Sequence, residues 1–398
     1  VTPGPAQESR PLPAASRRRM WPLYAAGFTT AFGAHGIAAN LGQGDAGLTR
    51  SVLYLGLLLA LYDGAEVVLK PVFGTLADRI GARPVLLGGL VAFAAASAVF
   101  VVVRDPGLLW AARLGQGAAA SAFSPAASAL VARLNPQARH GRAFGSYGFF
   151  KSIGYTAGPL LGGVLVWAGG LTLLFAVLAA LAAAVALWAA FAVPAVPPLP
   201  KARQTVLGLV RRLADGAFLR PVAALAAATA ALSVGVGFLP VSGVAAGLSP
   251  VVTGAAVSVL ALCAALVQPW AGRALDDGRL GAGGGLVAGL LVTACGLAAA
   301  MLPGLPGVLS AAVLIGAGTG LITPLGFAAL AGTTPHERLG QTMGTAELGR
   351  ELGDAGGPLL VAAVASAAGL TWGFAVLAAA TALLPLLLAA HRTPPARG

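Results

Sequence analysis

Twelve stretches of this chain are each long and apolar enough to cross a lipid bilayer, which takes about 20 predominantly apolar residues. They fall at 22–42, 52–73, 84–103, 107–132, 142–168, 171–193, 219–246, 251–272, 282–302, 307–331, 341–367 and 370–390. Within hydrocarbon a segment must satisfy its own backbone hydrogen bonds, so each stretch is expected to be a helix. A soluble fold is excluded by the shortage of polar cover. Only 10% of the 398 residues are charged and 58% are hydrophobic, against about 25% charged in a soluble domain. The 56 glycines suit helices that pack backbone to backbone in a membrane. The expected fold class is an all-α membrane protein of twelve transmembrane helices.

Helix breakers mark the joins: Asp105-Pro106-Gly107, Asn135-Pro136, Gly169-Gly170, Pro303-Gly304 and Thr334-Pro335. The net charge of +12 would point to nucleic acid in a soluble protein; here it serves topology. With the N-terminus in the cytoplasm, nineteen of the 25 Lys and Arg fall on the inner side. Arg50 and Arg104 fall outside, and Lys70, Arg113, Lys151 and Arg350 fall within spans. That bias fits an even span count with both termini inside. No cleavable signal peptide is read in the first twenty residues. The expected organisation is a disordered cytoplasmic tail over 1–19, a six-helix bundle over 20–193, a Pro-rich then basic linker over 194–218, a second six-helix bundle over 219–391 and a short tail over 392–398. Cys263 and Cys295 lie inside apolar runs and read as small core residues with no disulfide or metal role.

The halves repeat each other. At a shift of 199 positions Gly117 meets Gly316, Pro125 meets Pro324, Arg139 meets Arg338, Gly145 meets Gly344 and Gly158-Pro159 meets Gly357-Pro358. At a shift of 198, Pro71, Gly74 and Asp78 meet Pro269, Gly272 and Asp276. Six spans per half make the repeats parallel, the arrangement in which two bundles rock about a site near the bilayer midplane.

Three segments resemble motifs of the major facilitator superfamily. The loop after span two runs Gly74-Thr-Leu-Ala-Asp78-Arg79-Ile-Gly81-Ala-Arg83 and is similar to that family's cytoplasmic signature, departing at Ala82, where a second basic residue is usual. Its glycines permit a tight turn, and Asp78 can cap a helix N-terminus and pair with Arg79 or Arg83. Span four carries Arg113-Leu-Gly-Gln116-Gly117, which resembles the family's second motif; the resemblance implies a role for Arg113 in proton coupling. Span five carries Gly154 through Gly158-Pro159 to Gly162-Gly163, which resembles the motif of the family's exporters. The resemblance implies two six-helix bundles with pseudo-two-fold symmetry and proton-coupled export by a twelve-span antiporter. A first-span motif of the twelve-span drug exporters is not evident, which weighs against a strictly multidrug role.

The halves differ in charge. Span two carries Asp63, Glu66 and Lys70 on one helix face, where the second half has Ala261, Ala264 and Gln268. Span eleven carries Glu347, Arg350, Glu351 and Asp354, where the first half has Gly148, Lys151, Ser152 and Tyr155. Charges within a span are costly and are expected to face protein or a water-filled cavity. In the fold implied by the resemblance, spans two and eleven pack together, so Lys70 and Arg350 are expected to pair with acids from both halves and act with Gly74, Asp78, Arg79, Arg83, Gly158 and Pro159 in gating. Asp63, with no cation at i+4, is the first candidate proton carrier, with Glu66, Arg113, Glu347, Glu351 and Asp354 as the other coupling candidates. His35, Asn40, Tyr62, Arg113, Tyr147, Lys151 and Tyr155 are candidates for the substrate cavity.

No phosphate-cradling loop, metalloprotease helix or nucleophile elbow occurs, so an enzyme is not expected, and no cofactor or metal beyond the proton gradient is implied. The expected partners are a small-molecule substrate and the lipid bilayer, without nucleic acid, and the chain is expected to be a monomer. Richness in Ala, Gly and Arg fits a GC-rich bacterial source, placing the protein in a bacterial cytoplasmic membrane. Three functions stay open on sequence: a proton-coupled exporter of drugs or other small molecules, a carrier of an anionic metabolite, and a lipid-handling protein or sensor on the same scaffold.

Overall fold

Long apolar runs close their own backbone only as helices. The computed structural model describes residues 17–40, 52–102, 109–196 and 216–390, and these are helical apart from short turns. In the first half α1 is Arg17–Asn40, α2 Val52–Ile80, α3 Ala82–Val102 and α4 Leu109–Arg133. The helical run His140–Ala192 is divided by non-helical backbone at Gly169 and at Gly170, whose φ of 68° suits glycine. That break gives α5 over 140–168 and α6 over 171–192. The second half contains α7 Gly216–Ala245, α8 Pro250–Asp276, α9 Ala282–Ala299, α10 Gly304–Thr333, α11 Leu339–Ala368 and α12 Leu370–Ala390. The twelve helices expected from sequence are therefore present. Residues 1–16 and 391–398 of the tails, 197–215 of the linker, and the joins holding Arg50 and Arg104 lie outside the described residues.

Among the described residues six helical stretches, Gln137–Ala192 with its two helices among them, are long and apolar enough to cross a membrane on length and hydropathy alone. Helices α2 and α11 carry most of the charged residues found within spans: Asp63, Glu66 and Lys70 on one, Glu347, Arg350, Glu351 and Asp354 on the other. Their charged faces are turned inward, as the next section describes.

Each half is a bundle. Helix α1 lies against α5, and α4 against α2 and α3; α7 lies against α11, and α10 against α8 and α9. Small residues let backbones close up inside the bundles. A side chain at Gly158 would meet Gly36 N at 2.9 Å, and one at Gly154 would meet Phe28 O at 2.5 Å. The glycine-rich face of α5, with Gly154, Gly158 and Gly162, is thus the surface on which α1 lies, while Pro159 beside it is exposed. The repeat is equally visible in backbone detail. Two 3₁₀ turns, Gln137–Arg139 and His336–Arg338, precede α5 and α11 at the 199-residue shift, and Arg139 and Arg338 share φ −124° and ψ 10°.

One expectation needs correction. Cys263 is half-buried but Cys295 is exposed. An apolar run in lipid presents hydrophobic residues on every face, so sequence alone could not tell its outer face from its core.

Candidate functional site

The bundles meet along two seams, α2 against α11 and α5 against α8. Both begin at the end of the molecule where the arginine-rich loops lie, here termed the basic end. At the first seam Asp78 sits over the start of α11, where Gly340 N donates to its Oδ1 and Gln341 N to its Oδ2, each at 2.8 Å. At the second, Asp276 sits over the start of α5 and accepts from Gly141 N and Arg142 N, again at 2.8 Å. A carboxylate here meets unsatisfied N–H groups and the positive end of the helix dipole. The backbones touch below both carboxylates. A side chain at Gly74 would strike the Gly340 carbonyl, and one at Gly272 the Gly141 carbonyl.

The cation beside Asp78 differs from the two expected. Arg133, from the last turn of α4, donates from Nη2 to Asp78 Oδ1 at 3.2 Å and to the His336 carbonyl at 2.9 Å. Arg79 is exposed, since adjacent helical residues point about 100° apart. Arg83 follows the Gly81 turn and donates to the Ala190 carbonyl at 2.5 Å, in the last turn of α6. Arg133 went unassigned in sequence because it reads as one more loop arginine. The signal available for Asp276 was its alignment with Asp78.

Two to three turns further in, the seams diverge. At α2/α11, Lys70 Nζ donates to Glu66 Oε2 at 2.8 Å and to Glu351 Oε1, with Glu347 Oε2 at 4.0 Å. Glu347 is fully buried and also receives Lys151 Nζ from α5 at 3.3 Å and Arg350 Nη1 at 3.4 Å. Three cations and three carboxylates thus form one buried network across both bundles. At α5/α8 the repeat-related pair is neutral: Gln268, aligned with Lys70, donates to the Ser152 hydroxyl, aligned with Glu351, at 2.7 Å. At this depth one seam is ionic and its mate is not, although Arg142 pairs with Asp276 and Asp277 at the basic end of the second seam. Arg350 departs from expectation, because its carboxylate partner, Glu347, comes from its own helix. Asp354 instead accepts from the Ser233 hydroxyl of α7.

The other candidates distribute as follows. Asp63, one turn beyond Glu66, is exposed, whereas Glu66 and Lys70 are buried. Arg113 is buried in the first bundle, stacked 4.4 Å from the Tyr62 ring and donating to Gln116 Oε1 at 3.2 Å; Gln116 in turn donates to Ser97. His35 stands edge-on to Tyr155 at 4.3 Å. Asn40 ties α1 to α5, donating to the Gly36 carbonyl at 2.8 Å and the Pro159 carbonyl at 3.1 Å. Tyr147, Lys151 and Tyr155 do line a small cavity between the bundles, with a volume of about 40 Å³. Its remaining walls come from α7, α8, α10 and α11 and include Thr229, Gln268, Thr323, Phe327, Glu347 and Arg350. Among the described residues no cluster of His, Cys, Asp and Glu is suited to a metal ion.

Two parallel six-helix bundles, meeting at two seams around a polar cavity, define a secondary transporter fold. The chain belongs to the Major Facilitator Superfamily, whose model matches residues 21–244 and again 222–398. The fold is that of a family of transporters, not of enzymes. The chain resembles the quinolone resistance protein NorA of Staphylococcus aureus, 31% identical over 121 residues, which are 30% of this chain and 31% of that protein. The alignment thus spans less than a third of that relative's length. Among solved structures it resembles the human organic anion transporter MFSD10 (TETRAN), with a TM-score of 0.75, 19% identity and coverage of 94% of this chain and 99% of the other. It also resembles the Escherichia coli fucose:proton symporter FucP, with a TM-score of 0.76, 14% identity and coverage of 94% and 98%. At these identities the two structures attest the fold.

Proposed function

We propose that this protein exports a small organic molecule from the cell in exchange for protons. The basic end faces the cytoplasm on this reading, by the excess of Lys and Arg there, and the membrane is a bacterial cytoplasmic membrane. The structure then represents the state closed to the cytoplasm. The inter-bundle hydrogen bonds and ion pairs described above run from that end inward to the level of Lys70, Glu351, Gln268 and Ser152. The observation that carries the proposal is the change in exposure at that level. Glu66 and Lys70 are sealed within the ionic seam, and Asp63, one turn beyond, is exposed on the same helix. A carboxylate there can exchange protons with the far side while its neighbours hold the near side shut.

The direction of transport rests on the α5 glycine–proline segment and on the resemblance to NorA, whose name states quinolone resistance. The name of MFSD10 states organic anion transport; the lysine and arginine of the cavity are the feature of this chain that bears on such a substrate.

The test uses the full chain in a host stripped of its own exporters, challenged with antimicrobial compounds that include quinolones, and in proteoliposomes carrying a pH gradient. Wild-type protein is expected to protect the host and to move protons against the exported compound. Asp63→Asn is expected to bind that compound while losing proton-driven export, since an intramembrane carboxylate of this kind marks a proton relay. Wild-type coupling in Asp63→Asn would take Asp63 out of that role, and no proton-linked flux by wild-type protein for any compound would refute export.

A further inference from the structure

The charges of α2 and α11 share one register. The two helices run antiparallel, since α2 finishes at the basic end and α11 starts there. Lys70 bonds Glu66 in its own helix and Glu351 across the seam, so those two acids stand level with each other. Asp63 lies three residues beyond Glu66, and Asp354 three beyond Glu351. Each is therefore about 4.5 Å further from the basic end, at the helical rise per residue. One carboxylate from each bundle thus stands at the same depth, just beyond the ionic seam. Of the charged groups acting on Asp63, the foremost are Glu351 and Asp354, ahead of Arg113 and Lys70. Asp354 faces Glu351, the His35 imidazole and Arg350, and accepts from the Ser233 hydroxyl, which ties it to α7. At the repeat-related level the other seam has Ala261 and Tyr155, neither of them charged at neutral pH.

Bundles that rock about the midplane bring their far ends together as their basic ends part. That motion carries Asp63 toward Asp354. Two ionised carboxylates repel at close range, whereas a pair that shares one proton is joined by a charge-assisted hydrogen bond. From this register we infer that Asp354 is a positioning residue for the coupling proton: it makes a proton on Asp63 the condition for closing the far end. The proton arrives from the far side on the Asp63 carboxylate. While the far end is shut, the Asp63 acid donates to the Asp354 carboxylate, so one proton serves both groups. With both acids ionised the far end stays open and the basic end stays closed, which is the state of this structure. The inference rests on the proposed proton exchange and adds to it the acid of the second bundle.

The test uses the purified full chain in lipid nanodiscs, lacking Cys263 and Cys295 and spin-labelled at Ala168 and Ala246. These two positions are exposed at the far ends of α5 and α7, one in each bundle. Pulsed electron resonance reads the distance between them as pH is lowered. The distance is expected to shorten in wild type and to be short at every pH in Asp354→Asn and in Asp63→Asn. Asp354→Glu is expected to restore the pH response. Ser233→Ala removes the hydrogen bond to Asp354 and keeps its charge, so it is expected to respond as wild type does. Asp354→Ser, which also removes the charge, stands in should the asparagine variant fail to fold. A wild-type response in the uncharged Asp354 variant, loss of the response in Ser233→Ala, or a wild-type distance that ignores pH would overturn the inference. Proton-driven export by a protein whose Asp354→Asn variant keeps the pH response would sustain the export reading and refute this one. The expected distances in a protein that moves no compound would do the reverse.

Discussion

Lys70→Ala is expected to destabilise the protein by about 3–5 kcal/mol, the cost of breaking a buried ion pair by removing one partner. Gln268→Ala, the same truncation at the repeat-related position, is expected to cost about 1 kcal/mol, as for an ordinary hydrogen bond. The contrast follows from what each leaves behind. Without Lys70, the buried Glu66 and the largely buried Glu351 lose the ammonium that both contact. Without Gln268, Ser152 loses one hydrogen bond. Reversible unfolding in detergent, followed by circular dichroism across a titration of dodecyl sulfate, measures both. Equal costs for the two variants would mean that the ionic seam is no more than structural filling. Replacing Lys70 and both its acids with apolar residues of similar volume is expected to recover most of the stability, since a buried network is costly to break and much less costly to dispense with.

Gly74→Val is the second large effect. A side chain at Gly74 would run into the Gly340 carbonyl and lie 3.1 Å from Gly344 Cα, and backbone cannot move aside as a flexible side chain can. Forced overpacking costs about 1–3 kcal/mol, which displaces the balance between closed and open states by about 5–150-fold. The contact lies between bundles, so each bundle is expected to fold normally while the basic end cannot close. Transport is expected to fall accordingly. The control is Gly64→Ala on the same helix, where a side chain would meet nothing within 4 Å and no loss is expected. Cysteine accessibility at Thr75, compared between wild-type and Gly74→Val backgrounds, reports the opening directly. Unchanged accessibility would show that the seam tolerates the extra volume.

Most of the fold was legible in the sequence because lipid leaves few choices. Span length, breaker positions and the sidedness of arginine gave twelve helices, and the Gly and Pro register gave the repeat. The Gly169-Gly170 break, read as a join, is a true interruption of helical backbone. The site was legible as two charged helix faces but not as pairings. Arg350 was paired on paper with acids from both halves, and Asp78 with Arg79 or Arg83. Pairings depend on helix rotation and on which neighbour's last turn arrives beside a carboxylate, and neither is written in spacing along one helix. Arg133 and Ser233 are the clearest cases, each reaching its acid from a helix far away in sequence. Asn40 shows the opposite error: a polar residue in a span that read as cavity lining serves to join α1 to α5.

The central claim is that protons admitted at Asp63 act on the α2/α11 seam, where Lys70 bonds Glu66 and Glu351, with Glu347, Lys151 and Arg350 adjoining, and not on the neutral Gln268–Ser152 pair at the same depth of the other seam. Protonating an acid of that seam removes a partner from a buried ammonium, so acidification is expected to loosen the basic end. The most direct measurement is the distance between spin labels at Ile80 and His336, both exposed at that end, in protein lacking Cys263 and Cys295. Recorded by pulsed electron resonance as pH is lowered, the distance is expected to lengthen in wild type and in Gln268→Leu. It is expected to stay unchanged across the pH range when Glu66 and Glu351 are both glutamine. A pH-independent distance in wild type, or a pH response that survives in the double glutamine variant, would contradict the account.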